Sequence, residues 1–272
     1  MRKAITISIL MVMVLMLVAG CGTGNGGSEG LNQTITIAGS TSVQPFSEVL
    51  AEEFMIHNPR TKVNVQGGGS SQGIEAVRTG VSDIGASSRE LASEEKGFHE
   101  HLIAKDGVVI VVHPSNPVND LSLKELKDIF SSRIDNWQEV GGADREIVLV
   151  SREAGSGTRD GFETLAMDGE TVSDRALIAN STGAIRMIVA GDRNAIGYIS
   201  LAVLDKTVKP LRIDGVKPTA ENILNGRYSI SRPFIYLTKE EPVGLAKEFI
   251  DFVLSDYGQK ILEDEGVVKA KQ

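Results

Sequence analysis

Apolar and polar positions change period repeatedly along the chain, between strict alternation or short apolar runs and a three-to-four spacing. Thr34-Ile-Thr-Ile-Ala38 alternates and predicts a strand. From Pro45 onward, Phe46, Val49, Leu50 and Phe54 share one helical face until Asn58-Pro59 stops it. Lys62-Val-Asn-Val-Gln66 predicts a second strand, and Ile74 and Val77 lie on a short helix closed by Gly80. Ile84 is the inward residue of a short third strand, and the acidic stretch Leu91–Ile103 reads as an exposed helix. Gly107–Val112 is continuously apolar, the pattern of a strand buried on both faces. His113-Pro-Ser-Asn-Pro117 then breaks the chain and reads as a crossing between domains.

The second half repeats the alternation. Ser122 and Glu125 form a capping box ahead of Leu123, Leu126, Ile129 and Phe130. Ile147–Val150 predicts a buried strand leading into Ser151–Thr158, and Phe162 and Leu165 mark the helix after it. Ile185, Ile188 and Val189 lie on a helix closed by Gly191, and Ala195–Ile199 is the next strand. Lys206–Gly215 has weak periodicity and reads as the return crossing. A short helix at Thr219–Leu224, a strand at Ile230–Leu237 and an amphipathic Pro242–Leu262 complete the chain. Strands alternating with helices define an α/β fold. The 272 residues suffice for two domains. The expected division is residues 34–112 with 211–272 in one, and 113–210 in the other.

The first twenty residues stand apart. Arg2 and Lys3 precede an apolar run from Ile5 to Val18 without an acid, the pattern of a secretory leader over residues 1–20. Leu17-Val-Ala-Gly-Cys21 resembles a lipoprotein lipobox, which implies cleavage before Cys21 and lipidation of its sulfur. Cys21 is the only cysteine, so no intrachain disulfide forms. The glycine-rich remainder of residues 21–33 reads as a flexible tether. Removing Arg2 and Lys3 with the leader takes the formal charge from −8 to −10. No basic stripe offsets it, which argues against nucleic acid as a partner. His99 and His101 lie among acids without a further ligand pattern, so no metal site is expected.

Four loops carry the candidate chemistry: Gly39–Ser42, Gly67–Gly73, Gly85–Arg89 and Ser151–Thr158. Each joins glycine to hydroxyl side chains after a strand. Where such a loop opens a helix, free backbone N–H groups sit at the positive end of the helix dipole and suit an oxyanion. Strand carboxyl ends are where α/β sheets place their sites, so four such loops predict one cleft. Arg152 supplies a fixed cation with a planar fork. Asp83 is anomalous beside an anion site. Spacing alone makes it a solvated turn acid; near the ligand it is tolerable only if the ligand has a proton to donate. Gly69-Ser-Ser-Gln-Gly73 matches a nucleophile-elbow string, but a glycine loop precedes Ser71 and no histidine is suitably placed, which argues against an enzyme.

Taken in order, Ala38-Gly-Ser-Thr-Ser-Val-Gln-Pro45, Gly67–Gly73, Ser82–Arg89 and Arg152–Thr158 resemble the phosphate-specific substrate-binding lipoproteins of ABC transporters. The likeness continues to Ser231-Arg-Pro233 and Tyr257-Gly-Gln259. It implies a periplasmic-binding-protein type II-like fold, two α/β domains with a two-crossover hinge, and inorganic phosphate between them without a cofactor. The implied contacts are the loop Ser40, Thr41 and Ser42, Ser70 or Ser71, Ser88 of the pair Ser87/Ser88, and Arg152 with Ser156, Gly157 and Thr158. Asp83 is implied as acceptor of the hydrogenphosphate proton, which would exclude sulfate. Long members of the family carry Thr-Phe where this chain has Thr41-Ser42, so it resembles the shorter branch and the Ser42 amide is the expected contact there. The implied setting is extracytoplasmic, a monomer lipid-anchored to the cell membrane at Cys21 and partnered with an ABC permease and its ATPase subunits. A binder of sulfate or molybdate, or a sensing or adhesion lipoprotein, is the alternative.

Overall fold

Strands β1 (Gln33–Gly39), β2 (Thr61–Gly67) and β3 (Ile84–Ser87) pair in parallel, with β1 in the middle. These coordinates are a computed structural model, and the structure describes residues 33–270. The expected leader, the Cys21 lipid site and nearly all of the tether lie outside the described residues. Helix α1 (Gln44–His57) follows β1, with proline in its first turn, and buries Phe46, Leu50 and Phe54. Helix α2 (Ser70–Thr79) follows β2 and ends at Gly80, whose φ of 75° is left-handed.

Strand β4 (His99–Val112) is the spine of the molecule. It begins inside the stretch expected to be helical. The alternating His99-Glu-His101 part pairs with the strand β11 (Ser231–Thr238), which supplies hydrogen bonds that an isolated acidic helix would lack. Up to Gly107 its neighbour is β11, and from Val108 it is β8 (Ala195–Ser200). The chain therefore crosses between lobes within one continuous strand, ahead of the expected boundary after Val112. The two-residue strand β5 (Asp120–Leu121) and helix α3 (Leu123–Phe130) follow, the helix opened by the expected Ser122–Glu125 capping box.

The second lobe is built on β6 (Val148–Arg152), β7 (Leu177–Ala179) and β8, which are parallel. Helix α4 (Gly157–Ala166) follows β6, and α5 (Thr182–Gly191) follows β7. Short strands β9 (Lys209–Pro210) and β10 (Arg212–Ile213) pair with β4 and β5, and α6 (Ala220–Leu224) comes next. Leu211, Ile213, Ile223, Tyr228 and Ile230 pack in one core with Phe130 and Phe162. Residues 211–230 thus belong to the second lobe, and the return crossing is at Ile230/Ser231, not near Pro210. Two helices, α7 (Gly244–Leu254) and α8 (Asp256–Asp264), replace the single amphipathic element, because Ser255 leaves the helical region to cap α8. Strand β12 (Val268–Lys269) returns to β4. The ten-stranded sheet runs β2-β1-β3-β11-β4-β8-β6-β7, with β9 and β12 against β4. Phe46, Phe54, Phe249 and Tyr236 pack in the core of the first lobe.

Candidate functional site

The carboxyl ends of β1, β2, β3, β6 and β7 meet between the lobes, and buried hydroxyls fill the meeting point. Ser40, Ser42, Ser70 and Ser88 come from the first lobe, Thr158 and Thr182 from the second, and all six are buried. Ser42 Oγ lies 2.9 Å from Thr158 Oγ1 and 2.9 Å from Thr182 Oγ1, bridging the lobes. Ser40 Oγ donates to Ser88 Oγ at 2.8 Å, and Ser70 Oγ accepts the Ser88 amide at 3.1 Å. The pairs left open by the sequence are thereby separated. Ser70 and Ser88 reach the cluster, whereas Ser71 Oγ accepts from Arg89 at 3.1 Å and Ser87 Oγ donates to the Arg89 carbonyl.

Two guanidiniums face this cluster. Arg152, 1% exposed, donates from Nη1 to Thr182 Oγ1 at 3.1 Å, while Nε and Nη2 hold Glu153 at 2.9 and 2.8 Å. Arg232 donates from Nη1 to Ser88 Oγ at 3.2 Å and from Nη2 to Ser42 Oγ at 3.1 Å. Its other contacts, Nε at 3.1 Å and Nη2 at 2.9 Å, go to Asp106, which also accepts from Ser200 at 2.8 Å. Burial pushes the Asp106 carboxyl up and the Arg232 guanidinium down, and each partner pulls the other back towards its charged form. An arginine has only N–H donors, so the hydroxyls it touches must accept. Ser42, Ser88 and Thr182 therefore turn their own hydrogens away from the guanidiniums, and those of Ser42 and Thr182 are shared within the hydroxyl cluster.

Helix α4 adds backbone donors. Gly157 and Thr158 occupy its first turn, where N–H groups have no intrahelical acceptor, and buried Ser156 caps it by accepting the Arg159 amide. A Cβ on Gly157 would stand 2.2 Å from Ser70 Oγ and 2.9 Å from Ser88 Oγ. Glycine is what lets the second lobe approach the first here. Beneath, Phe162 and Tyr198 stack at 4.2 Å between centroids, and Tyr198 Oη lies 2.6 Å from Ser151 Oγ and accepts the Arg152 amide at 3.3 Å. Burial pushes the Tyr198 phenol up to about 12, so it stays a neutral anchor for β6 at neutral pH.

Comparison with known proteins places this geometry. Residues 25–257 match the family model described as PBP superfamily domain. Over 249 residues the chain is 39% identical to the phosphate-binding protein PstS of Bacillus subtilis, covering 89% of this chain and 82% of that protein. The chain belongs to the PstS family of the PBP superfamily. A substrate-binding protein of an ABC transporter from Clostridium perfringens, solved with bound phosphate, shares 44% identity at a TM-score of 0.84. The match covers 87% of this chain and 99% of that one. An ABC-type phosphate transport receptor from Vibrio cholerae shares 39% identity at a TM-score of 0.74, over 86% and 99% of the two chains.

Against this PstS-family cleft, one expected residue is misplaced. Asp83 sits at the amino end of β3, exposed, where its carboxylate accepts the Thr36 amide at 2.7 Å. Ser88 marks the other end, five steps of a strand or about 16 Å away. The solvated turn acid indicated by spacing alone is what the structure shows, and the role as proton acceptor falls. The Ser42 amide is likewise engaged by Ser40 Oγ at 3.2 Å, and the Ser42 hydroxyl holds the central position instead. Thr41 lies beside the cluster with its Oγ1 buried and unpartnered among the described residues. Arg232 and Thr182 were not expected. Thr182 follows β7 in Asn180-Ser-Thr-Gly183, a fifth loop of the same strand, hydroxyl, glycine and helix pattern. Arg232 is the one cation inside the otherwise apolar or neutral run Ile230–Leu237. Among the described residues, no group of three or more His, Cys, Asp or Glu side chains could hold a metal ion.

Proposed function

We propose that this chain captures inorganic phosphate, as hydrogenphosphate or dihydrogenphosphate, in the cleft between its lobes and delivers it to an ABC importer. One observation carries the reading: six buried hydroxyls, drawn from both lobes and three of them accepting from Arg152 or Arg232, converge on one point in a PstS-family chain. The proposed contacts are Ser42, Ser70, Ser88, Thr158 and Thr182, the Gly157 and Thr158 amides, and both guanidiniums. Ser40 and Ser156 support the contacts by hydrogen bonding, and Thr41 flanks them. Strand β4 at Gly107/Val108 and the chain at Ile230/Ser231, where β11 begins, would serve as the hinge, with ligand bridging the lobes and favouring closure.

The chain is a binding protein rather than an enzyme. A guanidinium, from Arg89, faces the hydroxyl of Ser71 in the elbow-like string. In this reading the protein works outside the cytoplasmic membrane, held by lipid at Cys21, as a monomer partnered by a permease and its ATPase subunits. Among the described residues, no helix is long and apolar enough to cross a membrane.

The position of Asp83 favours a second reading, a broader oxyanion site, because among the described residues no carboxylate accepts a hydrogen bond from the six hydroxyls. Calorimetric titration decides between the two. Protein freed of ligand by unfolding and dialysis is titrated with phosphate and then sulfate at pH 7–8. Tight phosphate binding with sulfate at least about a hundredfold weaker supports a phosphate site. Equal binding of both supports the broader site, and binding of neither defeats capture altogether.

A further inference from the structure

We infer that Arg89 and Asp160 form a latch at the rim of the cleft, a positioning pair that holds the lobes closed without touching the bound anion. The inference rests on the capture function proposed above. Arg89 follows β3 in the first lobe, and Asp160 lies in the first turn of α4 in the second. Arg89 Nε stands 2.7 Å from Asp160 Oδ2, an ion pair rather than a directed hydrogen bond.

The arm is preformed within its own lobe. Arg89 donates to both Glu95 oxygens, at 2.6 and 2.8 Å, to Ser71 Oγ at 3.1 Å and to the Glu90 carbonyl at 3.0 Å. These contacts all lie within the first lobe, on one side of the cleft. The hydrogen bond from Arg89 holds the Glu95 carboxyl below the usual range, so that anchor stays charged. A side chain ordered in advance has little freedom left to lose on docking. Next to it, the Ser71 amide donates to the Gly155 carbonyl at 3.1 Å, a second contact between the lobes.

The consequence lies in how the contacts divide. The Ser42 contacts with Thr158 and Thr182 run through the hydroxyls that an oxyanion would engage. The rim contacts do not. They bias the closed arrangement by an amount independent of which anion is bound, and a larger closed fraction raises apparent affinity for any of them. Asp160 also belongs to the same helix turn as Gly157 and Thr158, so docking it on Arg89 seats those donors. Asp160 is 37% exposed, so the attraction is screened and moderate.

The test is stopped-flow phosphate binding to the wild-type chain, Asp160→Asn and Asp160→Glu. Asp160→Asn should speed phosphate release about two- to fivefold, the range of an exposed pair, with an unchanged association rate and an unchanged phosphate-to-sulfate affinity ratio. The difference should vanish near 1 M salt, where screening is nearly complete, and Asp160→Glu should recover most of the loss. A merely structural role would move neither the salt dependence nor the release rate alone. Release from Asp160→Asn at the wild-type rate, with the wild-type salt dependence, overturns the latch. Hydrogen exchange at the Ser71 amide gives a readout that needs no phosphate. Exchange accelerated about two- to fivefold in ligand-free Asp160→Asn supports the latch, and unchanged exchange contradicts it, even if phosphate itself proves not to bind.

Discussion

Arg232 illustrates how one side chain can set the polarity of a site. Four of its N–H groups are shared between Asp106, which keeps its charge company in the interior, and two serine hydroxyls, which it compels to accept. A buried pair of this kind is expensive to break, because the abandoned charge has no solvent. Arg152 is easier to test, since its carboxylate partner Glu153 is 26% exposed and can fall back on water. Arg152→Ala is expected to weaken phosphate binding by about 2–5 kcal/mol. Asp83→Asn, in contrast, should leave phosphate affinity and the phosphate-to-sulfate ratio within about twofold, since its carboxylate accepts the Thr36 amide, far from the cluster. Calorimetry on both variants checks the contrast, and a change of selectivity in Asp83→Asn would return that acid to the site. The residues that were legible in sequence share one property: they lie in a local string whose chemistry is complete, as Arg152 does before Ser156-Gly-Thr158. Arg232 was not legible because its partners are remote, Ser42 and Asp106 being separated from it by 190 and 126 positions.

At the scale of elements, the site is a product of strand ends and helix starts. The loops after β1, β2, β6 and β7 each turn from an inward-facing strand residue to a hydroxyl and then a helix; parallel pairing points the turns of each lobe the same way, and the three antiparallel steps through β11 and β4 turn the strand ends of the two lobes towards each other. That repetition is visible in sequence because glycine and hydroxyl residues recur after each apolar run. The register between lobes is not visible, and it is what Gly157 governs. Gly157→Ala introduces a methyl group 2.2 Å from Ser70 Oγ, too close to be accommodated without shifting α4 or the Ser70 rotamer. Either the lobes then close less fully or Ser70 leaves its place in the cluster, and phosphate affinity should fall at least about tenfold while thermal stability changes by no more than about 1 kcal/mol. Wild-type affinity in Gly157→Ala, measured by titration beside its melting curve, would mean that α4 does not approach Ser70 on closure. The helix misassigned at Leu91–Ile103 teaches the converse lesson. Charge density there suggested a solvated helix, but β11 supplies a ladder for His99–Gly107, and tertiary pairing overrides local composition.

Across the whole molecule, two lobes share one sheet; the outward crossing lies within β4 and the return crossing at the start of β11. β4 changes partner at Gly107/Val108, and its neighbour β11 begins at Ser231, opposite Gly107. The Asp106–Arg232 pair lies on these same two strands, in register with each other, so the crossing and the cation of the site are tied by one buried contact. Sequence placed the crossings at the proline-rich break and near Pro210, because chain breaks are what composition can show. A strand that continues across a junction leaves no such mark. The claim at the centre of the account is that both lobes close around a single phosphate held by Arg152 and Arg232. The most direct measurement is a crystal structure of the protein grown with phosphate. The account predicts one tetrahedral anion within hydrogen-bond distance of Ser42, Ser88, Thr158 and both guanidiniums, with Asp83 remote from it. A phosphate bound at Asp83, or held by one lobe alone with Arg232 out of reach, would contradict it.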